Sequence, residues 1–210
     1  MSTARATGSL REKPPNVVVL AGPNGSGKST TAPLLLRGAL GVAEFVNADV
    51  LARGLSAFAP EHVAGAAGRI MLTRLHQLAA QRVSFAFETT LASRSFAPWL
   101  RGLITEGYHF HLVFLWLPSA DVAVARVAER VRLGGHHVDE EIIRRRYTAG
   151  LRNFFELYQP LAASWQMRDN SGLAGPRLVA EGKGNKVEQV KDSRTWEIIK
   201  RSAIDETRQG

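Results

Sequence analysis

Gly22-Pro-Asn-Gly-Ser-Gly-Lys-Ser29 follows directly on the apolar run Val17-Val-Val-Leu-Ala21. The octapeptide fits the pattern G-x-x-x-x-G-K-[ST], in which the backbone N–H groups of a glycine-rich turn cradle a di- or triphosphate. This chemistry needs a strand before the turn and a helix after it, because the helix directs its positive N-terminus at the same anion. We therefore expect the di- or triphosphate of a nucleotide to bind here. The residues expected to contact it are Gly22, Pro23, Asn24, Gly25, Ser26, Gly27, Lys28, Ser29 and Thr30.

Two side chains of this loop have predicted chemical roles. Lys28 would reach the β- and γ-phosphates and so take part in catalysis. Ser29 would supply its hydroxyl to Mg²⁺, which makes it the predicted metal ligand.

Length and composition favour one soluble domain. The 210 residues are 45% hydrophobic and 22% charged, without a composition shift that would divide the chain. We expect a disordered tail over residues 1–15 and a single domain over 16–205. The polar N-terminus lacks the apolar core of a signal peptide, and no apolar run approaches the roughly 20 residues of a membrane helix. The expected location is cytoplasmic, without a membrane partner.

The net charge of +8 raises the question of nucleic acid. The excess is spread thinly, at +2 over residues 1–16, +3 over 17–120, +1 over 121–176 and +2 over 177–210. A groove that follows a polynucleotide would concentrate it. The distribution disfavours nucleic acid as a partner and is compatible with phosphate on a small molecule.

Strand and helix patterns alternate along the chain. Short apolar runs are predicted strands at 17–21, 44–47, 83–88, 108–117 and 177–181, and helical patterns lie between most of them. The continuously apolar run 112–117 predicts a central strand covered on both faces. We expect an α/β fold: a P-loop NTPase with a parallel sheet of about five strands and helices on both faces.

Polar residues stand where the predicted strands end, which is where sites lie in open parallel sheets. Asp49 could accept a proton from a substrate hydroxyl, or it could cap a helix in the Asn-Ala-Asp turn. Glu88 could orient Mg²⁺ through water or bind a substrate hydroxyl, or it could be a solvated strand end. The residues predicted to contact the substrate are Asn47, Glu88, Thr89 and Thr90.

An arginine-rich segment follows the predicted central strand. Two helical patterns carry arginines on either side of Gly134-Gly135, and such a lid could bring guanidinium groups to the transferred phosphate. The alternative is that these arginines face solvent and pair with neighbouring glutamates. The candidates are Arg130, Arg132, Arg144, Arg145 and Arg146.

Several motifs in order resemble the zeta-toxin family of P-loop kinases. They are AGPNGSGKST, Asn-Ala-Asp at 47–49, FAFETT, RVRLGGHHVDEEIIRRRYTAGLRNF and Asp169-Asn170-Ser171, and they span roughly residues 17–181.

The resemblance implies Mg²⁺- and ATP-dependent phosphorylation of a sugar-nucleotide hydroxyl, with UDP-N-acetylglucosamine as the known substrate class, and a separate antitoxin protein as a partner. It also implies a nucleotide-kinase-like fold with an arginine-bearing lid. Asp49 would be the catalytic base and Glu88 a substrate-side acid. Arg132, with Arg145 or Arg146, would act from the lid, and Asn170 would lie near the adenine.

Other functions remain open from the residues. The acceptor could be a nucleoside, an antibiotic hydroxyl or a polynucleotide end. A different class of function is a nucleotide-dependent switch that hydrolyses ATP to act on a protein partner. An ABC-type ATPase would carry a Leu-Ser-Gly-Gly signature, and the sequence shows none.

Overall fold

The computed structural model describes residues 13–39, 42–57, 60–135 and 137–207. Its strands are β1 (Asn16–Ala21), β2 (Glu44–Val46), β3 (Phe85–Thr89), β4 (His109–Trp116), β5 (Ser164–Asp169), β6 (Arg177–Lys183) and β7 (Lys186–Val190). Its α-helices are α1 (Lys28–Pro33), α2 (Ala48–Leu55), α3 (Ala64–Ala80), α4 (Phe96–Thr105), α5 (Ala120–Arg132), α6 (Glu140–Asn153) and α7 (Ser193–Thr207). Shorter 3₁₀ helices cover Pro60–Val63 and Gln159–Leu161, and π-helical turns cover Leu34–Ala39 and Phe154–Tyr158.

Residues 1–12 of the predicted tail lie outside the described residues. The domain boundary at residue 16 therefore stays a prediction. Within the described ranges, no helix has the length and apolarity to cross a bilayer.

The strands form one sheet in the order β2-β3-β1-β4-β5-β6-β7. Strands β1 to β5 run parallel to their neighbours, and β6 and β7 pair antiparallel at one edge. The parallel part brings the carboxyl ends of β1, β2 and β3 to one edge of the sheet. The expected α/β fold is confirmed.

Strand β1 shows how the sheet is covered. Val17 and Val19 pack in the larger core cluster with residues of α3, α4, α6 and α7. Val18 and Leu20 point to the other face and pack with Ala32 of α1. Because successive strand residues alternate between faces, an entirely apolar strand requires helices on both sides, as the fold provides.

Strand β4 is the middle strand of the seven. Every residue from Leu112 to Leu117 is at most 6% exposed. The predicted central position of this run is confirmed.

The strand count departs from the prediction, because β5 and β7 lack a continuous apolar run. In β5, fully buried residues such as Trp165 alternate with half-buried polar ones such as Gln166, and all five residues of β7 are exposed. A two-residue turn separates β6 and β7, since β6 ends at Lys183, beyond the predicted end at residue 181, and β7 begins at Lys186. The sheet is consequently mixed at this edge, where the sequence predicted parallel strands.

A polar cluster joins β1, β4 and β5 on the side of the sheet away from the glycine-rich loop. His111 of β4 lies with its Nδ1 2.7 Å from Ser164 Oγ and its Nε2 3.0 Å from Asn16 Oδ1. Burial lowers the pKa of His111 below its ordinary value of 6.5, and His109 adds to this shift. The folded chain therefore favours neutral His111.

We expect this histidine to make the fold acid-sensitive. Because the unfolded chain binds the proton more readily, stability falls as the pH drops below about 6.5, and the loss is complete below the lowered folded-state pKa. Thermal unfolding at pH 7.5 and 5.5 checks this. The midpoint of His111→Gln should fall less on acidification than those of the wild type and of the control His62→Gln, which changes an exposed histidine that does not contribute to the shift. Equal falls in all three proteins would contradict it.

Candidate active site

The glycine-rich loop connects β1 to α1 in the way the sequence predicted. Gly22, Gly25 and Gly27 have φ values of 138°, 75° and 81°, a region that favours glycine. A Cβ on Gly25 would lie 2.9 Å from the Ala123 carbonyl oxygen, and one on Gly27 would lie 2.6 Å from Asn170 Nδ2. The loop therefore has both the dihedral angles and the close neighbours that exclude larger residues.

Lys28 is held beneath this loop and is only 6% exposed. Its ammonium donates to the carbonyl oxygens of Gly22 and Pro23 at 2.9 and 2.8 Å, and lies 3.7 Å from Glu88 Oε1. Burial lowers the pKa of Lys28, and the carboxylates of Glu88 and Asp49 oppose that shift. The charge is thus pre-positioned where the loop would hold phosphate.

Glu88, near the end of β3, contacts residues that follow β1 and β2. In the register of the sheet it lies opposite Leu20 of β1, one residue before that strand ends. Its Oε2 accepts hydrogen bonds from Ser29 Oγ at 2.8 Å and from Asn47 Nδ2 at 2.6 Å. The interpretation of Glu88 as a merely solvated strand end is wrong, since it is tied to the loop and to the end of β2.

Asp49 could have been the cap of α2, but Asn47 has that role. The Asn47 Oδ1 accepts from the backbone N–H groups of Asp49 and Val50 at 2.8 and 3.2 Å and so caps α2. Asp49 lies in the first turn of that helix, exposed at the wall of the cleft. The cap is therefore Asn47, and the Asp49 carboxylate is left available to the cleft.

One cleft of about 620 Å³ collects these groups. Its walls contain the predicted residues Lys28, Ser29, Asp49 and Glu88. The other predicted residues that line it are Asn24, Gly25, Gly27, Thr30, Asn47, Thr89 and Thr90. The sequence therefore identified residues that the fold brings together from β1, β2 and β3.

Two buried polar atoms of the loop indicate what the cleft is built to hold. Among the residues that the structure describes, Asn24 Oδ1 and Ser26 Oγ have no hydrogen-bond partner, and Asn24 lines the cleft. A buried polar group without a partner is costly, so an incoming ligand with polar groups would relieve that cost. The loop therefore fits a bound nucleotide.

Asn170, predicted to contact the nucleotide, lies behind the loop. Its Nδ2 donates to Ser26 O at 2.7 Å, and its own carbonyl oxygen accepts from Arg126 at 2.8 Å. A second nitrogen of Arg126 donates to Ser171 O at 2.8 Å. Asn170 thus fastens the end of β5 to the loop, and the predicted contact with adenine stays a prediction.

Of the arginines that the resemblance assigns to the lid, Arg146 lies at the cleft, and Arg132 and Arg145 do not. Arg132 is 75% exposed and pairs with Glu129, and Arg145 is exposed. Neither lines the cleft, whereas Arg130 and Arg146 do. Residues two apart on a helix point to nearly opposite sides, and adjacent residues differ by about 100°, so a small error in helical phase selects the wrong arginine.

Two further arginines complete the correction. Arg144 pairs with Asp121 and Glu140 at the surface. Arg126 was not among the lid arginines predicted from the sequence. It lines the cleft one helical turn before Arg130. The spacing of four residues on α5 was the signal that could have identified Arg126.

The family is decided by a match that covers most of the chain. The model of the family described as Zeta toxin matches residues 2–167. The chain belongs to the zeta-toxin family. The predicted family and enzyme class, a P-loop kinase, are therefore confirmed.

Known proteins similar to this zeta-family chain are distant in sequence. An uncharacterized protein of Haemophilus influenzae is 28% identical over 130 residues, which are 62% of this chain and 91% of that protein. A structure of the PezAT toxin-antitoxin system of Streptococcus pneumoniae aligns with a TM-score of 0.61 and 13% identity, over 96% of this chain and 91% of that one. AvrRxo1-ORF1, in complex with AvrRxo1-ORF2, aligns with a TM-score of 0.68 and 18% identity over 88% of this chain. The present chain spans only 63% of the length of that protein.

The different positions of Arg146, at the cleft, and Arg132, at the surface, can be tested directly. Arg146 is half-buried, and burial lowers the pKa of its guanidinium while the Asp49 carboxylate opposes the shift. Arg146→Ala should lower the rate of ATP turnover by about 100-fold, the typical cost of losing a pre-positioned group that stabilises transition-state charge. Arg132→Ala is the matched control and should leave the rate unchanged. An equal loss in both variants would contradict this assignment.

Proposed function

We propose that this chain transfers the γ-phosphate of ATP, with Mg²⁺, to a hydroxyl group of a small acceptor. The observation that carries the proposal is the meeting of Lys28, Ser29, Glu88 and Asp49 in one cleft. Phosphoryl transfer needs positioning, charge neutralisation and a base near the nucleophile. These four side chains supply all three.

Each side chain would act at a different part of the reaction. Lys28 would hold the phosphate oxygens, because its ammonium is fixed by the loop carbonyls. Arg130 and Arg146 also line the cleft and would stabilise the charge that develops on the transferred group. Asp49, on the turn that Asn47 caps, would accept the proton of the attacking hydroxyl.

Mg²⁺ fits the pair formed by Ser29 and Glu88. Their hydroxyl and carboxylate oxygens lie 2.8 Å apart, and such hard oxygen donors are the ligands that Mg²⁺ prefers beside phosphate and water. When bound, the ion would neutralise charge on the phosphate oxygens. Ser29 would bind it directly and Glu88 directly or through water.

The acceptor end of the cleft has a mixed lining. Thr90 and Ser93 bring hydroxyl groups, and Met71 and Phe96 bring apolar surface, to the cleft that also contains Asp49. Such a wall suits a small molecule with several hydroxyls and a less polar part. UDP-N-acetylglucosamine is the candidate acceptor because the family resemblance implies it.

A protein partner is also part of the proposal. PezAT is described as a toxin-antitoxin system, and a separate antitoxin would be the corresponding partner of this chain. A cytoplasmic location, where ATP is available, is proposed with it.

Asp49→Asn separates phosphoryl transfer from nucleotide binding. The amide cannot accept the proton, so the rate of transfer to UDP-N-acetylglucosamine should fall by about 100-fold or more. ATP affinity, measured by calorimetry, should be retained because Lys28 and the loop are untouched. Asp139→Asn, at an exposed acid outside the cleft lining, is the control and should behave as the wild type.

Two results would count against the proposal. Undiminished transfer by Asp49→Asn would remove Asp49 as the base. ATP hydrolysis that requires a protein partner, with no phosphate transferred to any small acceptor, would favour a nucleotide-dependent switch.

A further inference from the structure

An irregular loop, residues 90–95, lies between β3 and α4 and contributes to the lining of the cleft that contains Asp49. Thr90, Ala92 and Ser93 of this loop line the cleft. Leu91 is fully buried and has a φ of 60°. This left-handed conformation is unfavourable for a leucine, so contacts from outside the loop must hold it.

Those contacts come from the end of α6 and the π-helical turn that follows. Asn153 Nδ2 donates to the carbonyl oxygens of Leu91 and Ala92 at 2.9 and 3.1 Å. The Tyr158 hydroxyl donates to Ser93 O at 2.5 Å. Three successive carbonyl groups of the loop are therefore fixed by two side chains.

Both side chains that donate these hydrogen bonds, Asn153 and Tyr158, are buried. Asn153 is 1% exposed, and its single amide nitrogen supplies both N–H groups to the loop. Burial raises the pKa of Tyr158 to about 12, so its hydroxyl keeps its proton at neutral pH. Neither contact depends on solvent or on a mobile surface charge.

The same face of α6 also reaches the phosphate side of the cleft. Arg146, Gly150 and Asn153 are spaced at i, i+4 and i+7, which aligns them on one face of the helix. Arg146 lines the cleft, and a Cβ on Gly150 would clash with the Thr90 carbonyl oxygen. Helix α6 thus carries Arg146 and, two turns further along, Asn153, which supports the loop.

We propose that Asn153, assisted by Tyr158, is a positioning residue that fixes the 90–95 loop as the acceptor-binding wall at a set distance from Arg146. Asn153 acts through the loop and touches neither nucleotide nor acceptor. The inference rests on the proposed function, because it assigns the loop to the acceptor of that transfer. It assigns specificity for the acceptor to a residue outside the cleft lining.

Two variants and one control test this role. Asn153→Asp keeps the shape of the side chain but turns an acceptor oxygen towards two carbonyl groups. Tyr158→Phe removes only a hydroxyl, so it keeps the test decisive if Asn153→Asp does not fold. Glu141→Gln changes an exposed residue at the start of α6 and is the control.

The measurement is steady-state transfer from Mg·ATP to UDP-N-acetylglucosamine. Misplacing the loop should raise the KM for the acceptor about 10- to 100-fold in Asn153→Asp, and by less in Tyr158→Phe. The KM for ATP and the rate of ATP hydrolysis without acceptor should not change. An unchanged acceptor KM, or an equal rise in the KM for ATP, overturns the inference.

Failure of the proposed function would give a different result. If the wild type transfers no phosphate to UDP-N-acetylglucosamine, that acceptor is wrong, and amide hydrogen exchange decides the role of Asn153. The variants should then exchange faster over residues 90–95 and as the wild type does over 22–29. Unchanged exchange over 90–95 overturns the inference.

Discussion

The Glu88 carboxylate is the junction on which the site depends. It accepts hydrogen bonds from Ser29 after β1 and Asn47 after β2, and it faces the Lys28 ammonium. A buried carboxylate needs such partners, because burying a charge without them is costly. Satisfying Glu88 therefore also fixes the phosphate loop, the start of α2 and the position of Asp49 relative to one another.

Helices α5 and α6 bring the arginines to the cleft. Helix α5 brings Arg126 and Arg130 to the cleft, and α6 brings Arg146. The two helices share a small apolar cluster that includes Val127 and Ile143, so the arginines stand on packed elements. Arginines and carboxylates thus line the same cleft, and the arginines would stabilise the negative charge that develops during phosphate transfer.

The parts of the site that were predictable are those encoded locally. The phosphate loop is a contiguous pattern, and Asp49 and Glu88 were found because parallel strands end at one edge. The arginines were not, because the choice between Arg145 and Arg146 depends on the rotation of α6 against the sheet. Asn153 was missed for a related reason, since its partners lie about 60 residues earlier in the chain. Strand β7 escaped notice because all its residues are exposed and give no apolar pattern.

The central claim is that the loop's phosphate passes to a small-molecule hydroxyl. The most direct measurement follows the label when the purified chain is incubated with Mg²⁺, ATP labelled in its γ-phosphate, and UDP-N-acetylglucosamine together with a protein-free extract of cell metabolites. We expect the label to appear in an organic phosphate ester, and we expect Lys28→Ala to abolish this product. Label found only in inorganic phosphate, or only on protein, would contradict it.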